Sequence, residues 1–306
     1  MLKLGFVSAI LADFGFEHVV NFAAEHGFSC LEIMCWPKEG GEQRRYAGVT
    51  HIDVDQLLPN EITYIKNYLH EKKISISGLG YYPNPLDPDK NKSEFYIEHI
   101  KKVIRACNTL GIPVMNTFIG RNPSLNIPDN LELFKKLWKP IIQTAEQEGI
   151  KIGIENCPMF FTNDEWPGGK NLAISPAVWD KMFEIFPTKL FGLNYDPSHM
   201  IFQMMDEIKP IYQYKHRLHH VHLKDVKVYK EKLDQVGILA NPLEYHSPKL
   251  PGLGDVRWGA FFAALTDVRY RGPVVIEVED KAYEGSPADI TKAILQSRNY
   301  IKQFLP

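Results

Sequence analysis

No apolar run in this 306-residue chain reaches the length of a membrane span. Neither sign of charge is in excess: 35 basic and 37 acidic side chains leave a formal net charge of −2. Such a chain lacks the positive field on which nucleic-acid binding relies, so no nucleic-acid partner is expected. Cysteine is scarce. Cys30, Cys35, Cys107 and Cys157 show no paired zinc-type spacing and read as free, mostly buried thiols. The opening MLKLGFVSAI has no basic start, long apolar stretch or small-residue cleavage site of a secretory leader. These absences lead to the expectation of a cytoplasmic protein with no membrane partner. A small-molecule ligand fits the balanced charge, and a homo-oligomer stays open.

What the chain does have is alternation. Short runs rich in β-branched residues (KLGFVSA, CLEIM, ISISGLG, PVMNTFIG, KIGIEN, FGLNYD, LHHVHLKD, PVVIEVE) are each followed by a segment of helical period. Phe16, Val19, Val20, Ala23 and Ala24 trace one buried helix face, and Gly27 sits where that helix would end. Ile100, Val103, Ile104 and Cys107 repeat the device before Gly111. Ser286-Pro287 reads as a capping side chain with proline at the first helical position. Pro140, inside the fourth helical pattern, is expected to kink it or start a new segment. Repeated strand–helix units imply parallel strands, and eight of them predict a closed (β/α)8 TIM barrel, one domain over residues 1–306. The long connections (36–54, 81–91, 157–174 and 226–256) all follow strands, so they gather at the C-terminal rim where barrel active sites lie.

Side chains alternate along a strand, and that parity selects the residues facing inward at the rim. In KIGIEN, Ile152 and Ile154 face the helices, which turns Glu155 inward; the same count brings in Asn194 and Asp196. His220 and His222 point in on the seventh strand, and Glu277 and Glu279 on the eighth. A lone inward Glu or His can be a salt-bridged or hydrogen-bonded core residue, which is the reading preferred for the deeper His220. Four candidates on four consecutive strand ends make that explanation a coincidence. Glu155, Asp196, His222 and Glu277 would repel and desolvate one another unless a cation organised them. Three carboxylates and one imidazole suit one hard-to-borderline divalent metal ion, Mn²⁺ first, with Co²⁺, Mg²⁺ or Zn²⁺ also suited.

The runs GIEN, YDPSH, HVHLKD and YRGPVVIEVE, with PGLGDVRW between the last two, resemble the xylose-isomerase-like sugar isomerase and epimerase family. That family includes ketose 3-epimerases and inosose dehydratase. The resemblance implies that Glu155, Asp196, His222 and Glu277 are metal ligands. It also implies that Glu155 and Glu277 form the acid–base pair and that His199 touches substrate. The stretch after His222, Leu223-Lys224-Asp225, departs from the ketose 3-epimerases, which carry an arginine shortly after that histidine. It is closer to the dehydratase-like branch.

Two glutamates flanking one bound sugar can remove a proton beside a carbonyl and return it to the other face, to a neighbouring carbon, or after loss of water. The expected function is a metal-dependent epimerase or isomerase acting on a carbohydrate, a ketose or keto-glycoside, through an enediolate; a dehydratase using the same site is the alternative. An abasic-site endonuclease is a remote alternative, because it calls for more histidines and a basic face. The rim should supply specificity from Trp36, Tyr82, Trp166 and Lys224, with His199. Phe160 and Phe161 read as packing of the loop bases, residues 163–169 as a turn-rich flap, and Gly252-Leu253-Gly254 as a turn rather than a phosphate cradle. Cys157 has no obvious base partner in sequence and is not expected to be a nucleophile.

Overall fold

The structure is a computed structural model that describes residues 2–40, 46–160 and 168–305. Its strands are β1 (Lys3–Val7), β2 (Cys30–Met34), β3 (Ser75–Gly80), β4 (Val114–Thr117), β5 (Lys151–Glu155), β6 (Phe191–Tyr195), β7 (Leu218–Leu223), β8 (Asp225–Val228), β9 (His246–Lys249) and β10 (Pro273–Ile276). Eight of them close a parallel barrel in the order β1-β10-β7-β6-β5-β4-β3-β2, while β8 and β9 form a separate antiparallel pair. The expected barrel is therefore present, its eighth strand being β10. Closure leaves no unpaired edge in the barrel, and it places consecutive strand ends side by side.

Around it run α1 (Phe16–Glu25), α2 (Pro59–Lys72), α3 (Lys90–Leu110), α4 (Ile127–Glu148), α5 (Pro176–Ile185), α6 (Ser198–Ile201), α7 (Lys209–Gln213), α8 (Lys230–Val236), α9 (Trp258–Asp267) and α10 (Pro287–Lys302). The boundaries have local causes. The Asp89 side chain accepts from the backbone N–H groups of Asn91 and Lys92 to open α3, and Gly111 closes it at φ +76°. The Ser286 hydroxyl caps α10 by accepting from Asp289 N–H. None of the helices in the described residues is long and apolar enough to cross a membrane.

Three expectations change. Helix α4 continues through Pro140 as one element from Ile127 to Glu148. Its face of Phe134, Trp138, Ile141 and Ile142 is buried on the barrel, and that packing outweighs one missing backbone hydrogen bond. After β6 there are only the short α6 and α7, because Asp196-Pro197 turns the chain at once and Asp196 Oδ1 accepts from Ser198 N–H at 2.7 Å. The connection 226–256 is folded, carrying the β8–β9 pair and α8. Asp225 organises its return: the carboxylate accepts from the N–H groups of Gly252 and Val256 and from Trp258 Nε1. Residues 252–254 therefore form a turn on Asp225, as expected.

The barrel interior is polar toward the rim, and glycine makes the room. A Cβ on Gly153 would come 2.4 Å from Asn116 Oδ1 and 3.3 Å from Asn194 Cβ. Outside, Phe191 of β6 is fully buried against Phe134, Trp138, Phe183 and Phe186 with ring centroids 5.2–6.3 Å apart where these rings meet. Phe191→Ala should lower unfolding stability by about 3–5 kcal/mol, read as a shift of the urea midpoint. A loss below about 1 kcal/mol would show that this aromatic layer does not hold β6 to its helices.

Candidate metal centre

Four elements bring the candidate ligands together. Glu155 ends β5, Asp196 follows β6 by one residue, His222 lies in β7, and Glu277 follows β10, where its N–H donates to Leu223 O. Glu155, Asp196 and His222 are buried and Glu277 is half-buried. One ligand atom from each of the four lies within 4.8 Å of the other three. His222 Nδ1 stands 3.7 Å from Glu155 Oε1 and 3.3 Å from Glu277 Oε2. His222 Nδ1 is buried without a well-aligned hydrogen bond among the described residues, and buried Asp196 Oδ2 has the Lys224 ammonium at 3.1 Å and no aligned hydrogen bond. Buried polar atoms so incompletely satisfied are costly, and a cation at their common focus would satisfy both. The donor set fits a divalent ion.

Beneath this focus lies a residue outside the sequence-derived candidates. Glu32, fully buried in β2, accepts from His222 Nε2 at 2.7 Å. That contact assigns Nε2 the proton and leaves Nδ1 facing the carboxylates, the arrangement in which a carboxylate orients a metal-binding imidazole. Tyr82 donates its hydroxyl to the other oxygen of Glu32, and Asn194 Nδ2 lies 3.1 Å from that hydroxyl and 3.0 Å from His222 Nε2. His220, the deeper histidine, lies 2.9 Å from Asn194 Oδ1 and 3.0 Å from Ser77 Oγ, so it belongs to the hydrogen-bonded floor. Burial holds its pKa well below the usual histidine range. The signal for Glu32 was available: it is the one charged residue in the apolar run CLEIM, and parity against Leu31 and Ile33 turns it into the barrel.

Lys224 is buried among the acids. Its ammonium lies 2.8 Å from Glu277 Oε2, 3.1 Å from Asp196 Oδ2, 3.1 Å from Glu279 Oε2 and 3.9 Å from Glu155 Oε1. Burial disfavours its charge, but Glu277, Glu279, Asp196 and Glu155 outweigh burial and push its pKa well above the usual lysine range. Burial also raises the Glu155 carboxyl, and His222, His199 and Lys224 overcome that to hold it far below the usual carboxylate range. At His222 burial opposes the charged ring, while Glu32, Glu277 and Glu155 favour it strongly. A divalent ion at Nδ1 would take the place of that second ring proton.

The other expected site residues divide. His199, from α6, is buried with Nε2 3.4 Å from Glu155 Oε1 and 3.3 Å from Asp196 Oδ2. Burial lowers its pKa, but the Cys157 sulfur raises it, Lys224 lowers it and Asp196 raises it, for a result of about 10. Cys157 therefore does have an imidazole beside it, one contributed by a distant segment. Trp36, Tyr82, Lys224 and Glu279 line the same cavity as Glu155, Cys157, His222 and Glu277. Trp36 packs edge-on against Tyr81 at 4.9 Å. Phe160 packs with Phe202, Val226 and Tyr245 at the loop base. Trp166, Phe161 and residues 163–167 of the expected flap lie outside the described residues.

A closed eight-stranded barrel with convergent carboxylates, an imidazole and a buried lysine at its C-terminal mouth defines a TIM-barrel protein with a metal-type site. The chain belongs to the xylose isomerase-like TIM barrel family, which matches it over residues 20–303. Protein YfiH of Bacillus subtilis (strain 168) is 25% identical over 314 residues, covering 91% of this chain and 93% of its own. Inosose dehydratase of Clostridium tetani is 30% identical over 129 residues, which span 40% of this chain and 41% of that one. Among solved structures, the IolI protein with a bound zinc atom aligns at TM-score 0.73 with 15% identity, covering 99% of each chain. D-psicose 3-epimerase of Clostridium cellulolyticum H10 with D-tagatose aligns at 0.69, also with 15% identity and 99% of each chain. These structural likenesses carry the fold.

Glu32→Gln keeps the side-chain shape but removes the anion behind His222. Calorimetric titration with Mn²⁺ should show affinity about 10–100-fold weaker than in the unaltered chain. Equal affinity in the two would show that Glu32 does not orient the imidazole.

Proposed function

We propose that this chain is a cytoplasmic, metal-dependent epimerase or isomerase acting on a carbohydrate, a ketose or keto-glycoside, with Glu155 and Glu277 as its acid–base pair. The observation that carries the reading is the placement of these two carboxylates on strands separated by β6 and β7, with His222 Nδ1 within 3.7 Å of both. Glu155, Asp196, His222 and Glu277 would hold one divalent ion, Mn²⁺ first, and that ion would supply Lewis-acid polarisation of the substrate carbonyl. The zinc atom bound in the solved IolI protein supports a metal of this kind. The ketose 3-epimerase structures that share the fold support a sugar as substrate.

One glutamate takes the proton beside the carbonyl, giving an enediolate, and the other returns a proton to the opposite face, which inverts the carbon. General-base assistance of this kind is typically worth about 10²–10⁴-fold. The Lys224 ammonium, 2.8 Å from Glu277, adds fixed positive charge beside the developing oxyanion. Trp36 and Tyr82 offer aromatic surface along the cavity. The Tyr82 hydroxyl is already engaged by Glu32 and Asn194, so that residue contributes its ring.

A second reading, a sugar or inosose dehydratase, is favoured by the same lysine. A buried ammonium shared between Glu277 and Glu279 can protonate a departing hydroxyl, so that the enediolate loses water instead of gaining a proton. The inosose dehydratase relatives support this branch over the matched two-fifths of the chain.

The test is a panel of ketoses, inososes and 3-keto-glycosides followed by NMR in D₂O with Mn²⁺. Epimerisation places solvent deuterium at the inverted carbon; dehydration yields an unsaturated product. Glu155→Gln and Glu277→Gln should each cut turnover by at least about 10²-fold while weakening metal binding without abolishing it. Near-normal turnover in both variants would overturn the acid–base assignment.

A further inference from the structure

Cys157 and His199 approach the centre from one side, and the main candidate ligand set uses neither. The chain holds Cys157 firmly: Asn171 Nδ2 donates to the carbonyls of both Glu155 and Cys157, at 2.9 and 2.7 Å. The N–H of Met159 donates to Cys157 Sγ at 3.3 Å. Cys157 lines the cavity. His199 is only 6% exposed; neither ring nitrogen makes a well-aligned hydrogen bond among the described residues, and Nε2 faces only the Glu155 and Asp196 carboxylates at 3.4 and 3.3 Å. A buried imidazole held this loosely loses hydration that its neighbours do not fully replace. Its surroundings name what would complete it. One ligand atom from each of Glu155, Cys157 and His199 lies within 4.8 Å of the other two.

We propose that Glu155, Cys157 and His199 form a second metal site, selective for a thiophilic divalent ion such as Zn²⁺ or Co²⁺ and sharing Glu155 with the first centre. Carboxylate, thiolate and imidazole together are the donor set of such ions, whereas Mn²⁺ and Mg²⁺ favour oxygen-rich surroundings without a thiolate. Three protein ligands leave a position open for water or substrate, as catalytic rather than structural sites do. Coordination releases the thiol proton and one His199 ring proton to solvent and otherwise makes no covalent change. The local charge favours a second cation as well. Glu155, Glu277 and Glu279 line the cavity, with Glu32 held beside them by His222, Asp196 by Lys224, and Lys224 as the buried ammonium among them. The proposal rests on the first centre through the shared Glu155, but the two can be read separately.

The experiment is titration of the full, metal-stripped chain with Co²⁺, followed by absorption and by metal analysis after dialysis. The unaltered chain should take up two equivalents, one of them accompanied by a thiolate-to-cobalt charge-transfer band. Cys157→Ser, which keeps the size but removes the thiolate, should lose that band and one equivalent. His222→Ala should lose the other equivalent and keep the band, so a failure of the first centre shows itself independently. Uptake of a single equivalent without a thiolate band, or a band that survives Cys157→Ser, would overturn the second site.

Discussion

Repulsion among carboxylates at the barrel mouth is the constraint around which the rest of the structure is arranged. Glu32, Glu155 and Asp196 are buried, and Glu277 and Glu279 are half-buried beside them. Two like charges about 4 Å apart repel by about 4 kcal/mol at an effective dielectric near 20. A few such pairs would consume the whole stability of an ordinary domain, about 5–15 kcal/mol. The fold therefore has to bring positive charge to the same place. Lys224 does so with one ammonium that touches Asp196, Glu277 and Glu279. The imidazoles of His222 and His199 are drawn toward the charged form by the same field. A divalent cation at the focus of the four ligand atoms would complete the neutralisation more effectively than side-chain protons, because it is shared by all of them at once.

That constraint reaches outward through named contacts. The polar floor of Asn194, His220, Ser77 and Tyr82 exists because the acids cannot rest on hydrocarbon, and each floor member is satisfied by the next. Glycine at position 153 keeps space for Asn116 and Asn194 inside the barrel. Above the floor, the backbone of Glu155 and Cys157 is clamped by Asn171, while Asn156 ties β5 to Asp196 by hydrogen bonds of 2.9 and 2.8 Å. Such clamps fix the backbone from which the ligand side chains project, which is what separates a binding site from a loose cluster of acids.

Much of this was legible in the sequence, for a physical reason. In a barrel the strand period is strict, so parity alone turns Glu155, Asp196, His222 and Glu277 inward, and chain order alone makes their strand ends neighbours. Parity applied to β2 would have found Glu32, but one acid in an apolar strand does not announce itself without a partner, and His222 is 190 residues away. The meeting of Cys157 with His199 was hidden in the same way, by the turn of the chain at Asp196-Pro197. The β8–β9 pair was missed because each strand is only four residues long and is held by Asp225 rather than by a hydrophobic face. The unbroken course of α4 through Pro140 is a case of tertiary packing overriding local propensity.

The ligand set itself says little about which reaction follows. Proton removal beside a carbonyl needs the same carboxylates whether the carbon is inverted, the carbonyl migrates or water departs. On the proposed function, the choice would lie with groups that can protonate or stabilise one oxygen more than another, and in this cavity the groups placed for it are Lys224 and Glu279. An ammonium buried among four carboxylates holds its proton tightly, so it acts first as fixed charge. It would become an acid only if substrate oxygens or a cation drew Glu277 and Asp196 away from it, leaving Glu279 as its remaining partner. On the proposed function, the outcome at a given substrate would depend on how fully a bound cation claims the shared carboxylates, which would join metal chemistry to specificity through one lysine.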